Sequence, residues 1–75
     1  MVLGDARSGM NVRIIRFTDS RGLEGKLRQL GILPGDAAKI IRQAPFNGPF
    51  LLEIRGREIA LGHHIAKGII VEEIE

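Results

Sequence analysis

Segment 23–36, Leu-Glu-Gly-Lys-Leu-Arg-Gln-Leu-Gly-Ile-Leu-Pro-Gly-Asp, dictates a helix, an abrupt stop and a chain reversal within a short span. Leu23, Leu27 and Leu30 recur at i, i+4 and i+7, which sets all three on one helical face and turns Glu24, Lys26 and Arg28 away from it. Glu24 precedes Arg28 by four positions, the favourable order for an ion pair along a helix. Gly31 ends the helix, because glycine alone takes the left-handed position after a helix without strain. Pro34-Gly35 supplies a type II turn: proline fixes φ at the second position and glycine takes the positive φ at the third. Gly22 and Gly25 each weaken the helix by about 1 kcal/mol relative to alanine, so packing of the leucine face must hold it. The same glycines leave room for close approach to a strand, and Ser20 or Asp19 is placed to cap the helix start.

The remainder reads as short extended segments. Residues 1–9 are turn-prone, with Leu3 as anchor and Ser8-Gly9 as a turn. Residues 10–17 read as a strand with Met10, Val12 and Ile14 on one face. The phase slips at Ile14-Ile15, where a bulge returns Phe17 to the inside. A second strand spans 36–43 with Ile40 and Ile41 at its centre. Residues 44–49, Ala-Pro-Phe-Asn-Gly-Pro, form a loop with an Asn-Gly turn. Phe50, Leu52 and Ile54 alternate with Leu51, Glu53 and Arg55, the pattern of a half-buried strand. Gly56-Arg57 is expected as a type II′ hairpin turn, with 58–61 the returning strand. Residues 62–67 are long enough for one helical turn, and 69–74 for a last strand. The expected fold is mainly β: five short strands, one helix between the first and second, and a helical turn before the last. Strands this short and bent favour closure into a small barrel.

Composition removes several functional classes. The 75 residues hold no cysteine, hence no disulfide, thiolate metal site or thiol nucleophile. No apolar run approaches the ~20 residues of a membrane span, and no signal-peptide pattern opens the sequence, so the expectation is a soluble chain without direct membrane insertion. Ser8, Thr18 and Ser20 sit in turns, the glycines are scattered, and the carboxylates form no spaced pair, so an enzyme is not expected. Single-stranded nucleic acid is bound by aromatics stacked in a basic groove. With no Trp, no Tyr and three Phe, of which Phe17 and Phe50 read as core, this chain offers no such platform. His63-His64 is the one metal-like feature. Adjacent residues diverge in any regular structure, and tetrahedral sites need three or four ligands, so metal held there should be weak or bridge two molecules.

Charge is distributed unevenly. Residues 1–43 carry eight Lys/Arg and four Asp/Glu, whereas 44–75 carry three and five. Arg21, Lys26 and Arg28 around the helix, Lys39 and Arg42 on the second strand, and Phe46 between two prolines make a candidate docking patch for an acidic, partly apolar partner. The plain alternative is a solvated basic face with Phe46 folded into the core.

The run Leu-Gly-Ile-Leu-Pro-Gly at 30–35 after the leucine helix, with Gln-Ala-Pro-Phe-Asn-Gly-Pro at 43–49, Glu-Ile-Ala-Leu at 58–61, Ala66 and Ile-Ile-Val at 69–71, resembles the FeoA family. The match runs from about Leu3 to Glu73. The resemblance implies an SH3-like barrel, a single FeoA-like domain over 1–75, and a cytoplasmic accessory protein of ferrous iron uptake. Its implied partner is FeoB, the membrane iron transporter with a GTP-binding domain. The domain is also similar to the C-terminal module of DtxR-type metal-dependent repressors, which makes a small metal-sensing module the alternative. No DNA-binding helix-turn-helix precedes it, which argues against a repressor. No metal ligand set carries over onto His63 or His64.

Overall fold

In a computed structural model the chain is described over residues 1–18 and 22–75. The elements are a 3₁₀ turn at Leu3–Asp5, β1 (Asn11–Phe17), α1 (Leu23–Leu30), β2 (Ala37–Gln43), β3 (Phe50–Ile54), β4 (Arg57–Leu61), α2 (His63–Ala66) and β5 (Ile69–Ile74). All strand pairs are antiparallel, and the spatial order is β4-β3-β2-β1-β5. The mainly β, SH3-like architecture expected from the sequence is the one observed, with each strand within a residue or so of its expected bounds.

Two bulges bend the sheet. Val12 and Ile14 of β1 are fully buried, and the register against β5 shifts between Ile14 and Arg16. The shift leaves Ile15 exposed and brings Phe17 back against the core, as the phase slip predicts. A second shift, between Ile40 and Arg42 against β3, does the same for β2: Ala38 and Ile40 face inward and Arg42 outward. Phe50, Leu52 and Ile54 of β3 are buried from the same side, with Ile59 and Leu61 of β4 opposite Leu52 and Phe50.

The sheet does not close into a barrel. The outer edge of β5 is occupied by the N-terminal residues: Val2 bridges Ile70, the Met1 amino group donates to the Val71 carbonyl at 3.0 Å, and the Val71 amide donates back at 2.8 Å. The sheet therefore remains open between β4 and β5, and Leu27 of α1, fully buried, joins the core with Leu23 and Leu30 half-buried beside it.

α1 begins at Leu23, after Gly22 in the left-handed conformation (φ 80°). Gly22 thus sits outside the helix interior, and Gly25 faces open space rather than a strand. The expected caps, Asp19 and Ser20, lie outside the described residues. The helix stops at Gly31 (φ 86°), whose amide donates to the Arg28 carbonyl, while the buried Ile32 donates to the Leu27 carbonyl. Gly35 (φ 93°) follows in the expected turn, closed by the Asp36 amide on the Leu33 carbonyl at 3.1 Å.

The β3–β4 hairpin differs from expectation. Ile54 pairs with Arg57, so the turn residues are Arg55 and Gly56, both with positive φ (52° and 79°). That is a type I′ turn, whose twist suits antiparallel strands. Its strained arginine is put to use. Arg55 Nη1 donates to Asp36 Oδ1 at 2.6 Å and Nη2 to the Gly31 carbonyl at 2.6 Å, while Arg57 Nη2 donates to the Leu30 carbonyl at 2.9 Å. Asp36 Oδ2 accepts from the Leu33 amide at 2.9 Å. Two arginines thereby occupy the carbonyl acceptors that a helix C-terminus leaves open.

Two stability changes are expected. Leu27→Ala should cost about 2–5 kcal/mol, a large share of what a domain this small has, and a thermal transition equal to the parent's would remove Leu27 from the core. Gly31→Ala should cost more than Gly35→Ala. Both add about 1–3 kcal/mol of left-handed strain, but a Cβ at Gly31 must push the Arg57 guanidinium off the Leu30 carbonyl, whereas Gly35 faces open space. Chemical denaturation of the two variants side by side checks the order.

Candidate docking surface

The 44–49 loop is folded tightly on itself. The Ala44 amide donates to the Pro49 carbonyl at 3.0 Å and the Gly48 amide to the Pro45 carbonyl at 3.1 Å. The turn is therefore centred on Phe46 and Asn47, not on the expected Asn-Gly pair. Both central residues have positive φ (58° and 59°), a type I′ arrangement. Gly48 is required behind them, since a Cβ there would lie 2.6 Å from Ala44 Cβ and 3.0 Å from the Pro45 carbonyl. The consequence is that Phe46 stands at the loop apex, 98% exposed. An aromatic in the left-handed region costs about 1–3 kcal/mol of strain, and this one recovers none of it by burial.

At the base of the loop, Arg42, Ala44, Pro49, Leu51 and Ala60 line a cavity of about 280 Å³ over buried Phe50. The other basic residues of the expected patch are placed separately. Lys39 is opposite Glu53 in the β2–β3 register and lines a groove with Asn11, Arg55 and Ile74. Arg28 Nη2 donates to Glu24 Oε1 at 3.1 Å, the expected pair along α1. With both side chains about two-thirds exposed, it contributes little. Lys26 faces another groove, between α1 and α2. Arg21 lies outside the described residues. Phe46 thus stands at the apex of a loop whose ends, Ala44 and Pro49, share a cavity with Arg42, whereas Lys26 and Lys39 line different grooves.

His63 and His64 occupy the single turn of α2, with ring centroids 6.2 Å apart and planes at 63°. His63 is half-buried, and its Nδ1 is buried without a hydrogen-bond partner among the described residues; His64 is exposed. No cluster of three His, Cys, Asp or Glu side chains placed to hold a metal occurs among the described residues. No described helix is long and apolar enough to cross a membrane.

Two arginines whose structural role the sequence does not reveal are Arg55 and Arg57. Their signal was available in the pattern Arg-Gly-Arg at a hairpin, but nothing local says which acceptors they reach.

A family model, the FeoA domain, matches residues 1–73. This chain belongs to the FeoA family. It is 33% identical over 73 residues to a protein of Methanocaldococcus jannaschii named Fe(2+) transport protein A, covering 97% of this chain and 87% of that one. The fold is similar to that of an FeoA-like protein from Clostridium acetobutylicum, with a TM-score of 0.90 at 27% identity, covering 100% of this chain and 87% of that one. A manganese-dependent transcriptional repressor shares the fold alone, with a TM-score of 0.90 at 19% identity over 99% of this chain and 41% of its own. FeoA-family proteins and the C-terminal domains of DtxR-type repressors are thus built on one scaffold. The family is one of transport accessory and regulator-like proteins, not a known enzyme family.

Zinc or ferrous ion bound through His63 or His64 is expected to be weak or to bridge two molecules. Isothermal titration should show no tight one-to-one site. One tightly bound ion per chain, lost when both histidines become alanine, would overturn this expectation.

Proposed function

We propose that this chain is a cytoplasmic accessory protein of ferrous iron uptake that binds FeoB and modulates it by protein–protein contact, held at the inner membrane through that partner. Family membership and the iron-transport relative support the iron assignment. The observation that carries the contact is Phe46: an aromatic held in solvent by a strained, internally bonded loop that gains no stability from it. Aromatic and arginine anchors dominate interface energies, and here Arg42 lines a cavity together with Ala44 and Pro49, the two ends of the loop that carries Phe46. Lys26, Arg28 and Lys39, although spread over separate parts of the surface, add positive charge that would steer an acidic, partly apolar surface of the transporter at long range.

The second reading, a small divalent-ion sensor related to the repressor modules, has in its favour the buried, unpartnered Nδ1 of His63. Metal content after dialysis separates the two, since a sensor should retain stoichiometric ion.

Binding to the cytoplasmic domain of FeoB, followed by surface plasmon resonance, tests the docking surface. Phe46→Ala should speed dissociation, with a loss of affinity of about 30-fold or more, as for an anchor worth about 2 kcal/mol. Lys26→Glu with Arg28→Glu should instead slow association, the deficit shrinking as salt rises. Parent-like binding by both folded variants would place the docking surface elsewhere, the acidic β5 strand first.

A further inference from the structure

A groove of about 490 Å³ lies between α1 and α2. Its lining is mixed in a definite way. Leu23, Ile65 and Gly68 make the apolar part, and Lys26, Lys67 and His64 surround it with the Thr18 hydroxyl. Gly68 is enclosed: a Cβ there would lie 2.5 Å from Leu23 Cδ2 and 3.1 Å from Thr18 Oγ1, so the groove can open only where a side chain is missing. Among the described residues no acidic side chain lines it, and the two described ion pairs, Arg28–Glu24 and Arg55–Asp36, draw on neither lysine. Half-buried leucine and isoleucine sharing a groove with two lysines that enter neither described ion pair match a ligand that is both apolar and anionic.

We propose that this groove is a second docking site, distinct from the Phe46 loop, and that its occupant is an acidic peptide segment of a partner protein carrying an aliphatic side chain between carboxylates. The aliphatic side chain covers Leu23, Ile65 and Gly68, and the carboxylates meet Lys26 and Lys67. Charge complementarity selects the class, and the apolar floor separates it from a simple anion site. The inference rests on the reading that this protein works by protein contact, but it uses Lys67, His64 and Ile65, none of which belongs to the Phe46 surface.

The probes are a synthetic peptide alternating glutamate and leucine, its glutamate–serine counterpart, and inorganic phosphate, each titrated into the isotope-labelled full chain by NMR. The glutamate–leucine peptide should shift the amides of Leu23, Lys26, Ile65 and Gly68. Its affinity should fall about tenfold or more in Lys67→Glu, as for loss of a flanking charge and gain of a like one. The serine peptide should bind more weakly by a similar factor. Lys67→Gln serves if the reversal disturbs folding, with a smaller drop expected. Equal binding by parent and variants overturns the proposal. So does phosphate producing the same shifts at the same affinity, which makes the groove an anion site. Binding of phosphatidylglycerol vesicles in place of the peptide, lost in the same variant, overturns it in favour of a membrane contact. The Phe46→Ala variant should bind the peptide like the parent, so failure of the groove and failure of the transporter-docking surface are separately visible.

Discussion

The grip of Arg55 and Arg57 on the end of α1 is the contact on which the arrangement of the chain depends. A helix of eight residues ends in carbonyl groups with no partner and a partial negative charge. Arg57 takes the Leu30 carbonyl, Arg55 takes that of Gly31, and Asp36 links the hairpin arginine to the turn that launches β2. At the observed exposure each of these bonds is worth about 1 kcal/mol or less. Their effect is geometric. They tie the end of α1 to the β3–β4 hairpin and, through Asp36, to the turn that precedes β2, while buried Leu27 holds the helix to the core.

Two non-glycine turn positions with positive φ sharpen the contrast between structural and functional strain. Arg55 is strained, but its guanidinium is the part that reaches Asp36 and Gly31, so strain and bonds offset one another within the fold. Phe46 is strained by a similar amount, and its side chain touches solvent. Folding stability alone would favour Asn or Gly at that apex. Nothing within the fold offsets the strain at Phe46, which is why the proposed docking surface is centred on the loop rather than on a pocket.

Much of this was legible in the sequence, for reasons that differ by element. Strand and helix periodicities, the Gly31 stop, the turn at Gly35 and the β1 bulge follow from local pattern, because each is decided by side-chain spacing or by one residue's φ. Both hairpin-like turns were misassigned by one position. At Arg55-Gly56 and at Phe46-Asn47 the structure sets a non-glycine residue in the left-handed region, which local propensity disfavours and the surrounding register imposes. The open sheet was also missed, because whether β5 pairs with β4 or with residues 1–2 is a choice between distant segments that no local pattern encodes. Of the candidate site, the exposure of Phe46 was left open between core and surface, and the dispersal of the basic residues into separate grooves needed the strand register to be seen.

The kinship with metal-dependent regulators bears on scaffold before chemistry. What the shared fold fixes is backbone: the bent sheet, the capped helix, the one-turn α2 tied down by buried Ala66 and Ile69. A metal site is fixed by side chains, and α2 offers two adjacent histidines whose rings diverge, one with a buried nitrogen and the other in solvent. Tight binding of one ion takes three or four ligands, and among the described residues no third His, Cys, Asp or Glu joins the pair, which is the obstacle to a tight site within one chain. A partner supplying the missing ligands meets no such obstacle, since His64 is already exposed beside Lys67 and Ile65 on the rim of the α1–α2 groove. On this scaffold, therefore, an ion held at α2 with appreciable affinity is expected to take its further ligands from a second molecule.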